Sequence, residues 1–536
     1  ENMAVGHEAL IGAGSSTANY NTALGNYTLA SVTNAERNVA VGHHALKQVT
    51  TGDDNVAVGI YAGDAITEAG DNVLVGKEAG TTLTTGPQNV FIGSEAGESA
   101  LGAGYNVAIG SDAYKTAATG NYNIAIGKNA MNTGLVTASF VVGMGYEALK
   151  NLTSASETIA IGAYAGDAIT TGGDNTAIGH KALSTVSTGA GNTAMGREAM
   201  RDSSAGSLYN TAIGVNAIFS SGTPTGSTAL GWGAAYYPSG NYNTFLGFKA
   251  GYGDNTTRSA HNNVAVGKES LFSIEDGQEN VAVGDQAVYS ITSGDFNVGL
   301  GSDALRSVST GHGNVGIGRL AGSSLADHNY TVAIGYGAAQ DAVTTSSVII
   351  GHSAGYNNNG GDNNVFIGKS AGVNVTTGGS NVMIGPNAGP SSTNTDSNKL
   401  YIHNANGTPL IGGDFSAGTV TINGVLSATA KSFNIEHPLY KDKRLVHGSL
   451  EGPEHGIYIR GTIEASKGCI IELPDYWQAM CEDYTVQLTP HGPYTVFIQE
   501  KHKDKVMIAS SSQDYKFDYF IVGKRTDEEL EVVQDA

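Results

Sequence analysis

Four side chains near the C-terminal end are of types that do chemistry when gathered. His447, Glu451, Glu454 and His455 would offer two nitrogens and two carboxylates to a metal ion or to acid–base work. Their spacing fits no established catalytic pattern, and a hydrogen-bonded loop that shapes the domain accounts for them better. His43 and His44 are adjacent, so in an extended segment their rings point to opposite faces and do not share a ligand. Asp53, Asp54, Asp71, Asp174 and Asp362 sit near glycine-rich turns. The calcium-binding repeat with its nine-residue Gly-Gly-x-Gly-x-Asp period is absent, so turn capping by Asx side chains explains them better. Partial phosphate-loop matches among the glycines precede no helix of a strand–helix–strand unit. No catalytic residue, bound metal or cofactor is therefore expected. Aromatic residues are the better candidates. Trp232, Tyr236, Tyr237 and Tyr242 crowd one segment, Tyr252 follows, and Tyr476 and Trp477 stand together further on. Exposed rings stack on sugar faces and anchor interfaces, so these are the expected receptor-binding residues. The alternative is that they cover a local irregularity or pack between chains.

The elements that must position these residues are set by a repeat. Its unit is Asn, a β-branched residue, Ala, an aliphatic residue and Gly, then two variable residues and Ala. Asn38-Val39-Ala40-Val41-Gly42 with Ala45, and Asn55-Val56-Ala57-Val58-Gly59 with Ala62, are two copies. The closing glycines run from Gly6 through Gly25, Gly42, Gly59 and Gly76 to Gly385, about 23 in all, most of them 17 residues apart. Residues 1–390 thus form one array, and its unit predicts a parallel β-roll or β-solenoid. Val39 and Val41 lie two apart and share one strand face; Asn38 and Ala40 share the other. We expect the Val/Ile ladder to fill the interior, the glycine to make a tight turn, and each coil to hold two short strands and two turns. Stacked at strand spacing, 23 coils would span roughly 110 Å. On that expectation the Asn side chains hydrogen-bond along the opposite face. The small residues beside them, replaced by Phe91, Phe245 and Phe366 in three coils, leave an apolar stripe that sister chains would cover.

Composition agrees with this class. Glycine contributes 75 of 536 residues and charged residues only 14%, which excludes an ordinary charged globular surface. Collagen is excluded because glycine does not recur every third residue. The formal charge of −21 argues against nucleic-acid backbones and anionic membranes as partners. Cys469 and Cys481 are the only cysteines, so no disulfide framework is expected. There is no apolar run long enough to cross a bilayer and no signal peptide, so membrane insertion is not expected. The chain opens at Glu1 inside a repeat unit, which reads as a fragment whose natural start, with its attachment region, is missing.

Units such as Asn106-Val107-Ala108-Ile109-Gly110 resemble the head repeats of trimeric autotransporter adhesins, which form left-handed parallel β-rolls. Asn192-Thr193-Ala194-Met195-Gly196 and Asn175-Thr176-Ala177-Ile178-Gly179-His180-Lys181-Ala182-Leu183 are still more similar to the arrays of marine bacteriophage (cyanophage-type) tail fibres. The resemblance covers residues 1–390 and implies a homotrimer.

The period stops after Gly385. Pro386, Pro390 and the Ser391–Asp396 run open a connector, 391–430, with short strands around Leu400-Tyr401-Ile402 and Thr419-Val420-Thr421-Ile422. From 431 to 536 charge density rises, and alternating segments at 484–488, 494–498 and 519–522 predict antiparallel strands of a small β-sandwich-like domain. The segment from Phe433 to Glu454 resembles a terminal domain of cyanophage-type virion proteins. The autotransporter alternative calls for a coiled-coil stalk and a membrane-anchor barrel, and neither pattern is seen. The resemblance implies a non-enzymatic virion fibre. Its roll would be a rigid spacer, its C-terminal domain a tip for a host surface glycan or outer-membrane protein, and other tail proteins would join through the missing region. A tailspike-type glycan depolymerase is the enzymatic alternative; it needs two carboxylates roughly 5–9.5 Å apart in an aromatic groove. A bacterial surface adhesin is the other.

Overall fold

Each coil glycine ends a strand three residues long. The computed structural model describes residues 1–12, 17–116, 118–219, 222–237, 240–253, 259–426, 432–436, 443–448 and 456–525; for 432–436, 444–448, 456, 482 and 525 it describes the backbone alone. Within these residues 23 such strands, β1 (Met3–Val5) to β23 (Val382–Ile384), pair in parallel, each with the next. Register repeats without slippage: Val39 faces Val56, Ala40 faces Ala57 and Val41 faces Val58.

The interior is the reverse of the expected one. Ala40, Ala57 and Asn38 are fully buried, whereas Val39 and Val41 are half-buried on the outside. A coil this short encloses a core only a few atoms wide, and it takes the smaller column. Six buried positions line each coil, for example Ala45, Leu46, Val49, Gly52, Asn55 and Ala57. Volumes compensate inside one coil. Where Phe91, Phe245 or Phe366 takes the strand centre, the fourth residue after the coil glycine is Gly97, Gly251 or Gly372. A Cβ on Gly97 would lie 2.4 Å from the Phe91 ring.

The second half of the coil also differs from expectation. It forms no regular strand; it stacks through backbone bonds between turns, such as Leu46 N–H to Ala62 O (3.0 Å) and Thr50 N–H to Thr67 O (2.9 Å). Left-handed residues recur at fixed places, as His44, Leu46 and Asp54 show with φ of 61°, 51° and 58°. Such conformations cost an L-residue roughly 1–2 kcal/mol each. Here each turns an N–H toward a neighbouring coil: His44 to Asn26 O, Leu46 to Ala62 O and Asp54 to Glu36 O, all at 3.0 Å. The coil glycine has no substitute. Gly42 has φ +129°, and a Cβ there would lie 2.5 Å from Gly59 O.

Buried Asn side chains tie the coils together as a ladder. Asn55 donates through Nδ2 to Asn38 Oδ1 (3.0 Å) and Ala69 O (2.9 Å), and its Oδ1 accepts from the backbone (3.1 Å) and Nδ2 (3.0 Å) of Asn72. Hydroxyls stand in for Asn at Ser227, which accepts from Asn243 N–H, and at Ser347, which accepts from Asn364 N–H. Val141 and Thr158 interrupt the ladder, since Val141 has no side-chain polar group and Thr158 Oγ1 turns back to Ser156 O.

The connector is part of this first compact unit, which runs to Gly424. Strand β24 (Lys399–Ile402) pairs in parallel with β23; β25 (Ile411–Asp414) and β26 (Thr419–Ile422) then follow antiparallel, with Lys399 Nζ 2.6 Å from Asp414 Oδ2. The second unit begins at Val425. It holds a hairpin of β27 (Ser432–Glu436) and β28 (Arg444–Gly448), then β29 (Gly456–Ala465), β30 (Cys469–Glu472), the single turn α1 (Trp477–Met480), β31 (Cys481–Pro490), β32 (Val496–Lys501), β33 (Lys505–Ser510) and β34 (Tyr515–Arg525). Sheets β29-β34-β31 and β30-β33-β32 are antiparallel and share one core around Trp477, Phe517, Ile508 and Ile521.

Candidate functional site

Parallel coils in strict register place equivalent side chains one strand spacing apart, which is also a comfortable ring-stacking distance. The fifth residue after the coil glycine uses this. Phe219, Tyr236, Tyr252, Phe272 and Tyr289 occupy that place in five successive coils. Phe219–Tyr236 and Tyr236–Tyr252 centroids are 4.6 and 4.8 Å apart, and Tyr252–Phe272 and Phe272–Tyr289 follow at 5.2 and 4.9 Å, all within 17° of parallel. Arginines in the same column close both ends: the Arg201 guanidinium lies 4.4 Å from the Phe219 ring and that of Arg306 lies 5.6 Å from the Tyr289 ring. Arg201 is held in turn by Glu198 and Asp202.

Tyr237 stands edge-on to Tyr236 (4.6 Å) and Tyr252 (5.7 Å). With Tyr252, Gly253, Phe272, Ser273, Glu275, Ser290 and Thr292 it lines a shallow groove of about 560 Å³. Trp232 stacks on Phe248 at 5.2 Å, and the Lys249 ammonium joins the two groups, 5.5 Å from Trp232 and 5.0 Å from Tyr252. Partial burial pushes the phenol pKa of Tyr236 and Tyr252 up, so both hydroxyls stay protonated donors at neutral pH. In a ladder, the ring faces are occupied by one another. Edges, hydroxyls and the groove are what a ligand could meet, so the cluster is suited to binding.

The other residues singled out in the sequence scatter. Tyr242 is 62% exposed in a different column, just before the Asn, where its ring lies over Gly226. That column also carries the exposed Tyr105, Tyr122 and Phe140, stacked at 4.8 and 5.2 Å. Trp477 is 1% exposed and belongs to the core of the second unit, so it presents no ring to a receptor; Tyr476 beside it is half-buried. His43 and His44 lie in a turn, not a strand. Their rings stack at 4.1 Å rather than diverging, with Tyr27 and Tyr61 edge-on from the adjacent coils. Burial, then Lys47, lowers the His44 pKa. Asp53 and Asp362 do cap turns, accepting from the backbone N–H of Glu36 (2.6 Å) and Thr345 (2.7 Å) in the preceding coil. Asp54 pairs with Arg37 at 2.7 Å, and Asp71 and Asp174 occupy left-handed turn positions.

The His447 side chain and all of Glu451, Glu454 and His455 lie outside the described residues. Among those described, no three His, Cys, Asp or Glu side chains gather as metal ligands do, and no helix is long and apolar enough to cross a membrane. Reading by crowding along the chain missed Phe219, Phe272, Tyr289, Arg201 and Arg306. Their shared offset from the coil glycine was the signal. No family model, curated protein or solved structure matches the chain.

Proposed function

We propose that this chain is a structural virion protein, a bacteriophage tail fibre that mediates adhesion to a host cell-surface receptor, and that it works as a homotrimer. The observation that carries the reading is the uninterrupted roll. Twenty-three strands in unbroken parallel register, bonded coil to coil and tied by buried Asn, form a stiff spacer rather than a container for chemistry. The C-terminal unit is the tip that contacts a surface glycan or outer-membrane protein, and several weak contacts per particle give avidity.

The inverted interior changes the ground for assembly. Small residues point inward, so the seam between chains is the outer sheet face with its aliphatic columns. Val58, Ile92, Ile161, Met195, Leu230, Val283, Ile367 and Ile384 are 36–45% exposed at the same strand position. An apolar strip running the length of a roll exceeds what soluble monomers ordinarily leave to water, and sister chains would cover it.

Sedimentation of the whole chain tests assembly: a trimer is expected, and a folded monomer would sink the seam. For adhesion, the whole chain and a chain ending at Gly424 are compared on candidate host cells. Binding should need the terminal unit; equal binding by the shortened chain would overturn the tip assignment.

A further inference from the structure

The register of the terminal unit gives its three-stranded sheet an outward face of ordered chemistry. Across β29, β34 and β31, Arg460 faces Phe520, which faces Gln487; in the next row Thr462 faces Asp518, which faces Thr489. Their inward neighbours, Phe517 and Ile521, are buried in the core, and Arg460, Thr462, Gln487, Thr489 and Asp518 are exposed. These six residues, with Gly461 and Tyr519, line a cleft of about 430 Å³. We propose that it is a glycan subsite, built for one neutral pyranose of a surface polysaccharide. This rests on the adhesion reading above and gives its tip a ligand class.

Ring, donors and acceptors are arranged for that ligand. Phe520 stands in the middle strand, half-buried, with the Tyr458 ring 5.5 Å away and tilted 42° to it, so it has an apolar neighbour and keeps exposed ring surface for the C–H face of a sugar. A guanidinium and an amide flank it, on backbones two strand spacings apart, roughly 10 Å. That is about the width of a sugar ring with its rim of hydroxyls. Among the described residues nothing pairs with Arg460, so its donors are uncommitted.

Asp518 supplies the acceptor. Thr462 Oγ1 donates to one of its oxygens at 2.6 Å and His491 Nε2 lies 2.9 Å from the other. Those contacts fix the carboxylate and leave lone pairs for sugar hydroxyls. The Thr462 bond, and then His491, hold its pKa below the usual carboxylate range, so it stays ionised. With the Arg460 cation in the first row and the Asp518 anion in the second, the two charges offset each other across the cleft, which favours a neutral ring over a sugar acid. In the next row along, Lys516 and Glu464 face and pair with each other.

Saturation-transfer NMR on the whole chain tests the proposal, with cellohexaose, maltohexaose and mannohexaose as neutral probes and hexagalacturonate as the acidic one. Irradiating aromatic protons should saturate ring C–H protons of at least one neutral probe. Phe520→Ala should weaken that binding about tenfold, as loss of a stacking ring does. The exposed changes Arg460→Ala and Gln487→Ala should weaken it with the fold unperturbed, and Arg37→Ala in the roll should leave it unchanged. Transfer that survives Phe520→Ala, transfer to the acidic probe alone, or none to any probe overturns the subsite. Host-cell adhesion measured in parallel separates the two claims. Adhesion without sugar binding removes only the subsite, and sugar binding without adhesion removes only the fibre reading.

Discussion

Replacing Asn55 by Ala tests whether the Asn ladder holds the roll together. The side chain donates to Asn38 Oδ1 and Ala69 O and accepts two hydrogen bonds from Asn72, all fully buried. Alanine leaves the Asn72 N–H and the Ala69 carbonyl without these partners, where no water reaches them. Each orphaned buried group costs about 1–3 kcal/mol, so the substitution should cost roughly 3–5 kcal/mol. Coils contact only their neighbours, so the loss stays local and a global melting curve would understate it. Hydrogen exchange resolved by peptide is the suitable assay. The Asn72 amide should exchange at least about a hundredfold faster, equivalent to roughly 2.7 kcal/mol of local opening. The Val73 amide keeps its bond to Asn89 O at 2.8 Å, so its protection should fall only as far as its coil opens. Asn55→Ser should lie between, because Ser227 shows that a hydroxyl accepts from the next coil's N–H at 3.2 Å. Unchanged exchange at Asn72 in Asn55→Ala would refute the ladder as a stabilising element.

Gly97→Ala should cost about 2–4 kcal/mol, because it adds a Cβ 2.4 Å from Phe91 at φ +61°; Phe91→Leu in the same chain should recover part of it, read by denaturant midpoint. Phe272→Ala cuts the aromatic ladder in two, and near-ultraviolet circular dichroism should lose the signal of coupled rings while the far-ultraviolet spectrum is retained. Asp167 is raised in pKa chiefly by burial, and its Oδ1 has no hydrogen-bond partner. A carboxyl raised in the fold is most favourable below its unfolded pKa, and its contribution is lost as pH rises through the folded value. Asp167→Asn should therefore raise the melting temperature at pH 7, with the gain shrinking as pH falls through the carboxylate range.

Strand positions and the period were legible because a repeat imposes the same physics 23 times. Which face pointed inward was not, because Val39/Val41 and Asn38/Ala40 alternate with the same period of two. Two clues would have decided it. Phe91, Phe245 and Phe366 each coincide with a glycine four places after the coil glycine, and side chains that trade volume must share an interior. Asn can also be buried if it makes four bonds, as Asn55 does. The aromatic cluster was half legible: Tyr236, Tyr237 and Tyr252 were found, but proximity along the chain drew in Tyr242, which belongs to another column. In the terminal unit the alternation revealed strands. The pairing of β29 with β34 joins residues fifty or more apart, so neither the burial of Trp477 nor the row through Phe520 could be read beforehand.

The gap in the Asn ladder at Val141 and Thr158 has a mechanical consequence. A roll pulled along its axis would tear where neighbouring turns are least tied, and neither Val141 nor Thr158 passes a side-chain bond to the turn that follows it as the Asn side chains do. Each turn that peels away there would lengthen from about 5 Å to nearly 60 Å of extended chain. The roll would then give way by one turn at a time from a fixed place, absorbing a tug while the turns on either side stay wound.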